Sequence, residues 1–199
     1  MTLVKYQKRH TTIMSLRYKS FVEDVWSKFP ELKKVKLTDI TNYNYFWTLK
    51  QHIDVGYINF ETERKHLYRL SVLLENYAVR NNAPLLATFE TEKRYKYVED
   101  RYNEFLGKIP KAWIIGDFKN PFLAPRPPQS TEVISCDGTN IENMWIVLTN
   151  RSTGPFGLVA ENIGDGKFRG FFSISPPIIG NVIDNISEQL RTDIDFSKY

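Results

Sequence analysis

The chain has 199 residues, 42% of them hydrophobic, and a formal net charge of +4. This length suffices for one main domain with a substantial core. The longest apolar stretches, residues 112–115 and 144–148, are far shorter than the roughly 20 residues that cross a bilayer, so we expect no membrane span.

Two features favour a cytoplasmic protein. Residues 1–10 contain Lys5, Lys8 and Arg9, but no apolar run follows them as it would in a secretory signal. The single cysteine, Cys136, has no disulfide partner and no CxxC neighbour for zinc, which fits a reducing compartment. We expect Cys136 to be a small buried hydrophobic residue.

The basic charge is concentrated near the N-terminus. Residues 1–50 carry ten Lys or Arg and four acids, and such segments attract phosphate backbones or acidic partners. The chain has no Cys/His finger spacing, no RNP-like aromatic motif and no arginine-rich run. A nucleic-acid-associated regulator that uses this basic region is therefore our second hypothesis and not our first.

An amphipathic helix is predicted over residues 15–29, with Ser15 as its cap and Pro30 as its stop. Apolar residues recur there at spacings near three and four. The pattern leaves open whether this stripe packs within the chain, which we favour, or on another subunit. The stripe consists of Leu16, Phe21, Val22, Val25, Trp26 and Phe29.

Residues 37–60 are rich in aromatic side chains and fit a helix or a strand, with a short helix near 42–52 as one solution. The strongest helical periodicity spans residues 61–80, with acids in its first turn. A strand at 84–89, a helix at 92–106 and a strand at 112–115 then predict a β-α-β unit with parallel strands.

Four prolines make residues 120–128 a loop. Four further strands, at 131–135, 144–148, 156–160 and 168–174, are separated by short turns that favour antiparallel neighbours. A last helix follows at 175–191. The predicted fold class is α/β (α+β): a mixed sheet of about six strands covered by helices. Residues 1–54 form a helical extension in this interpretation, and residues 55–199 form the main domain.

The sequence shows no recognisable catalytic or cofactor motif, so we expect no enzyme, no cofactor and no metal site. His10, His52 and His66 are far apart and lack the spacing of a helical metal pair. We expect surface or packing roles for them, with His66 on the solvent side of its helix. The Gly164-Asp165-Gly166 stretch is too short for a phosphate-binding loop and is interpreted as a turn.

Acids that follow predicted strands supply a third hypothesis, an enzyme of unrecognised class built on an acidic rim of the sheet. They are Glu90, Asp117, Asp137, Glu161 and Asp165. A binding rim is the better interpretation, because ligands of open α/β sheets lie beyond the carboxyl ends of strands. That rim would combine Phe89, Glu90 and Thr91 with Gly116, Asp117 and Phe118.

A series of short motifs over roughly residues 55–190 resembles the DICT sensory domains found beside diguanylate cyclases and two-component systems, mainly in bacteria such as cyanobacteria. The motifs are Leu74-Glu75-Asn76-Tyr77-Ala78, Ala83-Pro84-Leu85-Leu86-Ala87-Thr88-Phe89, Arg94-Tyr95, Arg101-Tyr102, Ala112-Trp113-Ile114-Ile115-Gly116, Met144-Trp145-Ile146-Val147-Leu148 and Phe168-Arg169-Gly170-Phe171-Phe172-Ser173. The family's acid-aromatic strand is matched loosely, by Glu142-Asn143-Met144-Trp145-Ile146.

The resemblance implies a non-catalytic sensory or regulatory module of signal transduction that binds a small ligand, a partner protein or both. Arg94 and Trp145 then join the rim as candidate ligand-binding residues. With 199 residues and no room for an output domain, we expect a standalone sensor whose partner is a kinase, a cyclase, a transcription regulator or a second copy. The candidate partner surface is the N-terminal stripe, through Leu16, Phe21, Val25, Trp26 and Phe29.

Overall fold

The computed structural model describes residues 20–41, 46–118, 128 and 130–199. Its α-helices are α1 (Phe21–Lys28), α2 (Leu49–Val55), α3 (Arg64–Asn81), α4 (Glu92–Lys96), α5 (Glu99–Leu106) and α6 (Pro176–Leu190). Its strands are β1 (Tyr57–Glu63), β2 (Leu85–Phe89), β3 (Ala112–Gly116), β4 (Thr131–Ser135), β5 (Met144–Arg151), β6 (Gly154–Gly164) and β7 (Lys167–Ser173). Across these residues no helix has the length and apolar character of a bilayer-crossing segment.

All seven strands form one mixed sheet in the order β1-β7-β6-β5-β2-β3-β4. The half from β1 to β5 is antiparallel, and β2, β3 and β4 run parallel to one another. The two halves join where β5 pairs antiparallel with β2. The predicted α/β class is confirmed, with seven strands in place of about six, and the predicted parallel pairing of β2 and β3 is confirmed too.

Side-chain alternation along the strands divides the core into two layers. On β3, Trp113 and Ile115 point to the layer that contains α1 and α6, whereas Ala112 and Ile114 point to the layer that contains α3 and α5. The sheet is therefore covered on both faces. This explains why β2 and β3 carry apolar side chains towards both faces of the sheet.

The strand β1 begins in residues 37–60, which fitted a helix or a strand, and continues through residues 61–63, which were predicted to start a helix. Its residues alternate, with Ile58 and Phe60 buried and Glu61 and Glu63 exposed. Those two acids suggest the first turn of a helix, but they belong to a charged edge strand, and Glu61 stands opposite Arg169 of β7. The helix α3 consequently begins at Arg64 and not at residue 61.

Two further elements differ from the prediction. The helix expected over 92–106 is interrupted at Val98, whose backbone (φ −117°, ψ 1°) is not helical, and forms α4 and α5. The strand β4 pairs parallel with β3 at the sheet edge. The short connection after β4 therefore does not make an antiparallel hairpin, whereas those between β5, β6 and β7 do.

The helix α1 packs within the chain. Phe21, Val22, Val25 and Trp26 are at most 8% exposed and lie in the same core layer as α6, while Phe29 is half-buried against it. These residues therefore pack within the chain, which was the favoured alternative. Their burial corrects the expectation that their side chains form a partner surface. Leu16 and the predicted cap Ser15 lie outside the described residues.

An ionic cluster fastens α1 to the sheet. Ser20 caps α1 by accepting a hydrogen bond from the Glu23 amide, and its hydroxyl lies 2.7 Å from Glu161 Oε2. Arg169 Nε donates to Glu161 Oε1 at 2.6 Å, and Arg169 Nη1 lies 3.2 Å from Glu23. Glu161 is only 6% exposed, so its charge needs these partners.

Candidate functional site

A cavity of about 530 Å³ opens where the parallel and antiparallel halves of the sheet meet. The backbone pairing of β2 with β5 stops at Ala87 and Val147. Beyond it the Thr88 hydroxyl donates to Met144 O and accepts from Ile146 N, both at 2.8 Å. The Thr88 side chain thus takes the place of backbone hydrogen bonds between β2 and β5. The cavity lies beside it, between β2, β5, α3, α4 and α5.

The walls of the cavity are mainly apolar, with ionisable groups among them. They are formed by Arg64, Lys65, Tyr68, Ser71, Glu75, Ala87, Thr88, Phe89, Glu90, Arg94, Tyr97, Val98, Arg101, Tyr102, Met144, Trp145 and Val147. The aromatic residues Tyr68 and Tyr97 are 45% and 73% exposed. They are therefore aromatic parts of the lining that solvent reaches.

One face of α3 supplies four of these residues: Arg64, Tyr68, Ser71 and Glu75. Their spacing of four, three and four residues places them on one stripe of a helix. Ser71 and Glu75 are each 3% exposed, so this stripe is polar and yet partly buried. It was missed in the sequence, where the adjacent leucines dominate the periodicity. A polar stripe at helical spacing beside an apolar one is the signal that marks it.

Glu75 is the most deeply buried charge in the cavity wall. It accepts a hydrogen bond from Tyr102 Oη at 2.6 Å, and Arg101 forms an ion pair with its other oxygen. Burial and the Glu75 charge raise the pKa of Tyr102 well above its usual range, so its phenol stays protonated. Burial lowers the pKa of Arg101, but the attraction of Glu75 outweighs it and leaves that pKa raised.

Trp145 links the opposite wall to α3. Its indole Nε1 donates to Ser71 Oγ at 2.8 Å, and Ser71 in turn donates to Leu67 O at 2.9 Å. The Arg64 guanidinium carbon lies 5.2 Å from the centre of the Trp145 ring and 4.9 Å from that of Phe168. The ring is therefore held in place at its edge and over its face.

A polar depression of about 310 Å³ adjoins the cavity. The carboxylate of Glu90 lies at the boundary, 2.5 Å from Arg64 and 3.8 Å from Arg94, and it accepts from Asn162 Nδ2 at 2.8 Å. The contact of Glu90 Oε2 with Arg64 is close in distance but lacks the alignment of a hydrogen bond. The depression is lined by Arg64, Glu90, Thr91, Lys93, Arg94, Tyr97 and Asn162.

The structure brings half of the predicted ligand-binding residues together. Phe89, Glu90, Arg94 and Trp145 line the cavity, and Thr91 lines the depression. Gly116, Asp117 and Phe118 line neither, because the β3 end lies one strand further along the sheet. Phe118 fills the core there, with its ring 6.0 Å from that of Tyr95.

The acids that follow strands do not converge. Glu90 faces the cavity, whereas Glu161 faces α1 on the other side of the sheet, through its bond with Ser20. In the described ranges no three His, Cys, Asp or Glu side chains are grouped as a metal ion would require. The acidic rim therefore supplies no single constellation for catalysis.

The histidines and the cysteine are packing residues wherever they are described. His52 and His66 are 4% and 8% exposed, so the expected solvent position of His66 is wrong. Burial lowers the pKa of both imidazoles. Cys136 is fully buried, as expected, and burial raises the pKa of its thiol to about 12. His10 lies outside the described residues.

No family model and no curated protein matches the chain. A solved structure that resembles it is described as a polyphosphate kinase from Porphyromonas gingivalis, at 14% identity and a TM-score of 0.47. The similarity covers 89% of this chain and 28% of that one. This likeness transfers neither an activity nor a substrate to the present chain.

No comparison supports the expected non-catalytic sensory module, and the structural neighbour that was found is described as an enzyme. That interpretation is not retained. The expectation that the chain is no enzyme likewise finds no support. The resemblance to DICT domains stays a prediction, although several of its motif residues, among them Glu75, Arg101 and Trp145, meet at the cavity.

Proposed function

We propose that the chain binds a small molecule with an apolar, flat body in the cavity between α3, α5 and β5. The observation that carries this proposal is the cavity itself, about 530 Å³ of mainly apolar space at the junction of the two halves of the sheet. Ligand cavities typically measure about 300–1,000 Å³ and have mainly apolar walls with a few polar groups.

The polar groups in the wall are placed where they would fix the orientation of a bound molecule. The Glu75, Arg101 and Tyr102 cluster lies beside aromatic and aliphatic side chains. Arg101 Nε is buried and has no hydrogen-bond partner among the described residues. An unpaired buried donor is costly, and an acceptor atom of a ligand would satisfy it. A few such groups in an apolar wall fix the orientation of a bound molecule.

Fluorescence titration with neutral anilinonaphthalene tests the proposal, because this probe brightens in apolar surroundings. Val98 is half-buried and lines the cavity, so Val98→Trp places an indole in the space that the probe would occupy. Val55 is 55% exposed and lines no described cavity, which makes Val55→Trp the matched control. We expect saturable binding to the wild type and to Val55→Trp, and about tenfold weaker binding to Val98→Trp.

Thermal melting of the three proteins must accompany the titration, so that loss of fold is not mistaken for loss of the site. Equal affinity of Val98→Trp and the wild type, with both folded, would contradict the proposal. An absence of saturable binding to the wild type would contradict it as well.

A further inference from the structure

We infer that the ligand is an amphipathic anion, whose apolar body lies in the cavity while its oxyanion group lies in the adjoining depression. This inference rests on the proposed function and adds the chemical class of the ligand. It depends on three observations: the continuity of the two spaces, the local balance of charge and the donors that the depression presents.

The cavity and the depression are continuous. Arg64, Glu90, Arg94 and Tyr97 line both of them. The larger space is mainly apolar, and the smaller one, of about 310 Å³, is bordered largely by polar and charged side chains. A molecule that fills the first and extends past Glu90 therefore passes from apolar to ionic surroundings, and complementarity requires the same change along its length.

The charge of the depression is positive. Its border holds three cations, Arg64, Lys93 and Arg94, and one carboxylate, Glu90. Glu90 is closest to Arg64, at 2.5 Å, and lies 3.8 Å from Arg94. Lys93 has no carboxylate within ion-pair distance in the described part of the chain. Two positive charges are thus left uncompensated beside the opening, where an anion would be attracted.

The groups on this border suit an oxyanion. Arg94 has a side chain that is 47% exposed and ends in a planar guanidinium, and guanidinium groups bind carboxylates and phosphates through paired hydrogen bonds. Lys93 adds an ammonium and Thr91 a hydroxyl. Cations on a solvated helix face are common and do not by themselves indicate a binding site. Here they border the open end of an apolar cavity, which is the arrangement that a carboxylate, sulfonate or phosphate with an apolar body requires.

A matched pair of probes separates this inference from the proposed function. Anilinonaphthalene and its sulfonate share one apolar body and differ only in the anionic group. Both are titrated into the wild type, into Lys93→Gln, whose lysine borders the depression and not the cavity, and into Lys50→Gln. Lys50 lies on α2, its side chain is 80% exposed, and it lines neither space, so this variant controls for a general loss of positive charge.

We expect the wild type to bind the sulfonate at least about tenfold more tightly than the neutral probe, and this advantage to decrease with added salt. Lys93→Gln should lose part of this advantage and bind the neutral probe as the wild type does, whereas Lys50→Gln should keep the advantage in full. Equal binding of the two probes to the wild type, or an advantage that Lys93→Gln keeps in full, would overturn the inference and leave the proposed function standing. Failure of the neutral probe to bind any of the proteins would contradict the proposed function itself.

Discussion

Tyr102 donates a hydrogen bond of 2.6 Å to Glu75, and the two side chains, 1% and 3% exposed, form the buried polar part of the cavity wall. Arg101 completes the cluster from the solvent side, with its side chain 33% exposed. A buried carboxylate is stable only when its hydrogen bonds are satisfied. The cluster therefore ties the site to the stability of the fold, because α3 and α5 are joined through it.

Tyr102→Phe tests the contribution of this hydrogen bond to stability. The substitution keeps the ring and removes one donor from the Glu75 carboxylate, so we expect a loss of about 1–3 kcal/mol in the free energy of unfolding. Urea denaturation measures it. Tyr97→Phe removes the hydroxyl of a tyrosine that is 73% exposed and should change stability by less than about 0.5 kcal/mol. Equal effects of the two variants would show that the bond between Tyr102 and Glu75 contributes no stability.

The docking of α1 supplies a second prediction. Val25 is fully buried in the layer formed with α6, so Val25→Ala should cost about 2 kcal/mol of unfolding free energy through lost burial and a small cavity. Val55→Ala, at a position that is 55% exposed, should cost less than about 0.5 kcal/mol. If Val25→Ala left stability unchanged and altered only oligomeric state, the N-terminal stripe would be a partner surface after all.

A third prediction concerns His52 and the dependence of the unfolding free energy on pH. Its imidazole packs between Trp47 and Phe172, with both ring centres 5.2 Å away, and bonds the Thr48 carbonyl through Nδ1 at 2.8 Å. Burial lowers its pKa below the ordinary value near 6.5. The unfolded chain therefore binds the proton more readily, and stability that is present above about pH 6.5 is lost as the pH falls.

His52→Gln removes this titration. Urea denaturation between pH 7 and pH 5 should then show a shallower loss of stability than in the wild type, by at most about 1.4 kcal/mol per pH unit for one proton. His66, whose pKa burial also lowers, keeps a residual slope in the variant. Identical slopes in variant and wild type would mean that His52 is protonated as easily in the folded protein as in the unfolded chain.

The position of the bound probe gives a fourth prediction. Trp145 lines the cavity, so its fluorescence should be quenched by energy transfer to bound anilinonaphthalene more than that of the other three tryptophans. Trp145→Phe should remove most of the transfer while keeping the ring that covers the wall. Trp113→Phe changes a tryptophan in the opposite core layer and serves as the control. Loss of transfer in Trp113→Phe and not in Trp145→Phe would place the probe on the face of the sheet opposite the cavity and contradict the prediction.

Much of the fold was predictable because buried faces of helices and strands produce periodic patterns of apolar residues in the sequence. The stripes of α3 and α6 and the apolar runs of β2 and β3 are such patterns, and the structure confirms them. The end of β1 was predicted as the start of a helix because its exposed acids, Glu61 and Glu63, are typical of a first helical turn. The place of β4 beside β3 depends on pairing between distant segments, which local turn signals do not specify.

The site was predictable only in part, for a related reason. The expectation that ligands lie beyond strand ends led to Phe89 and Glu90, and these do line the cavity. It also led to Gly116 and Asp117, which lie beside the next strand along. The polar stripe of α3 and the Glu75 cluster were missed because such a stripe is visible in the sequence but does not show that it is buried. Its burial follows only from its partners on α5.

The indole N–H resonances of a nitrogen-labelled sample test the central claim most directly, because each tryptophan gives one signal and Trp145 points its Nε1 at Ser71 in the cavity wall. Titration with anilinonaphthalene sulfonate should shift the Trp145 signal and leave that of Trp113, in the opposite core layer, in place. A saturating titration in which Trp145 does not move, or in which Trp113 moves instead, would contradict the account of the cavity as the binding site.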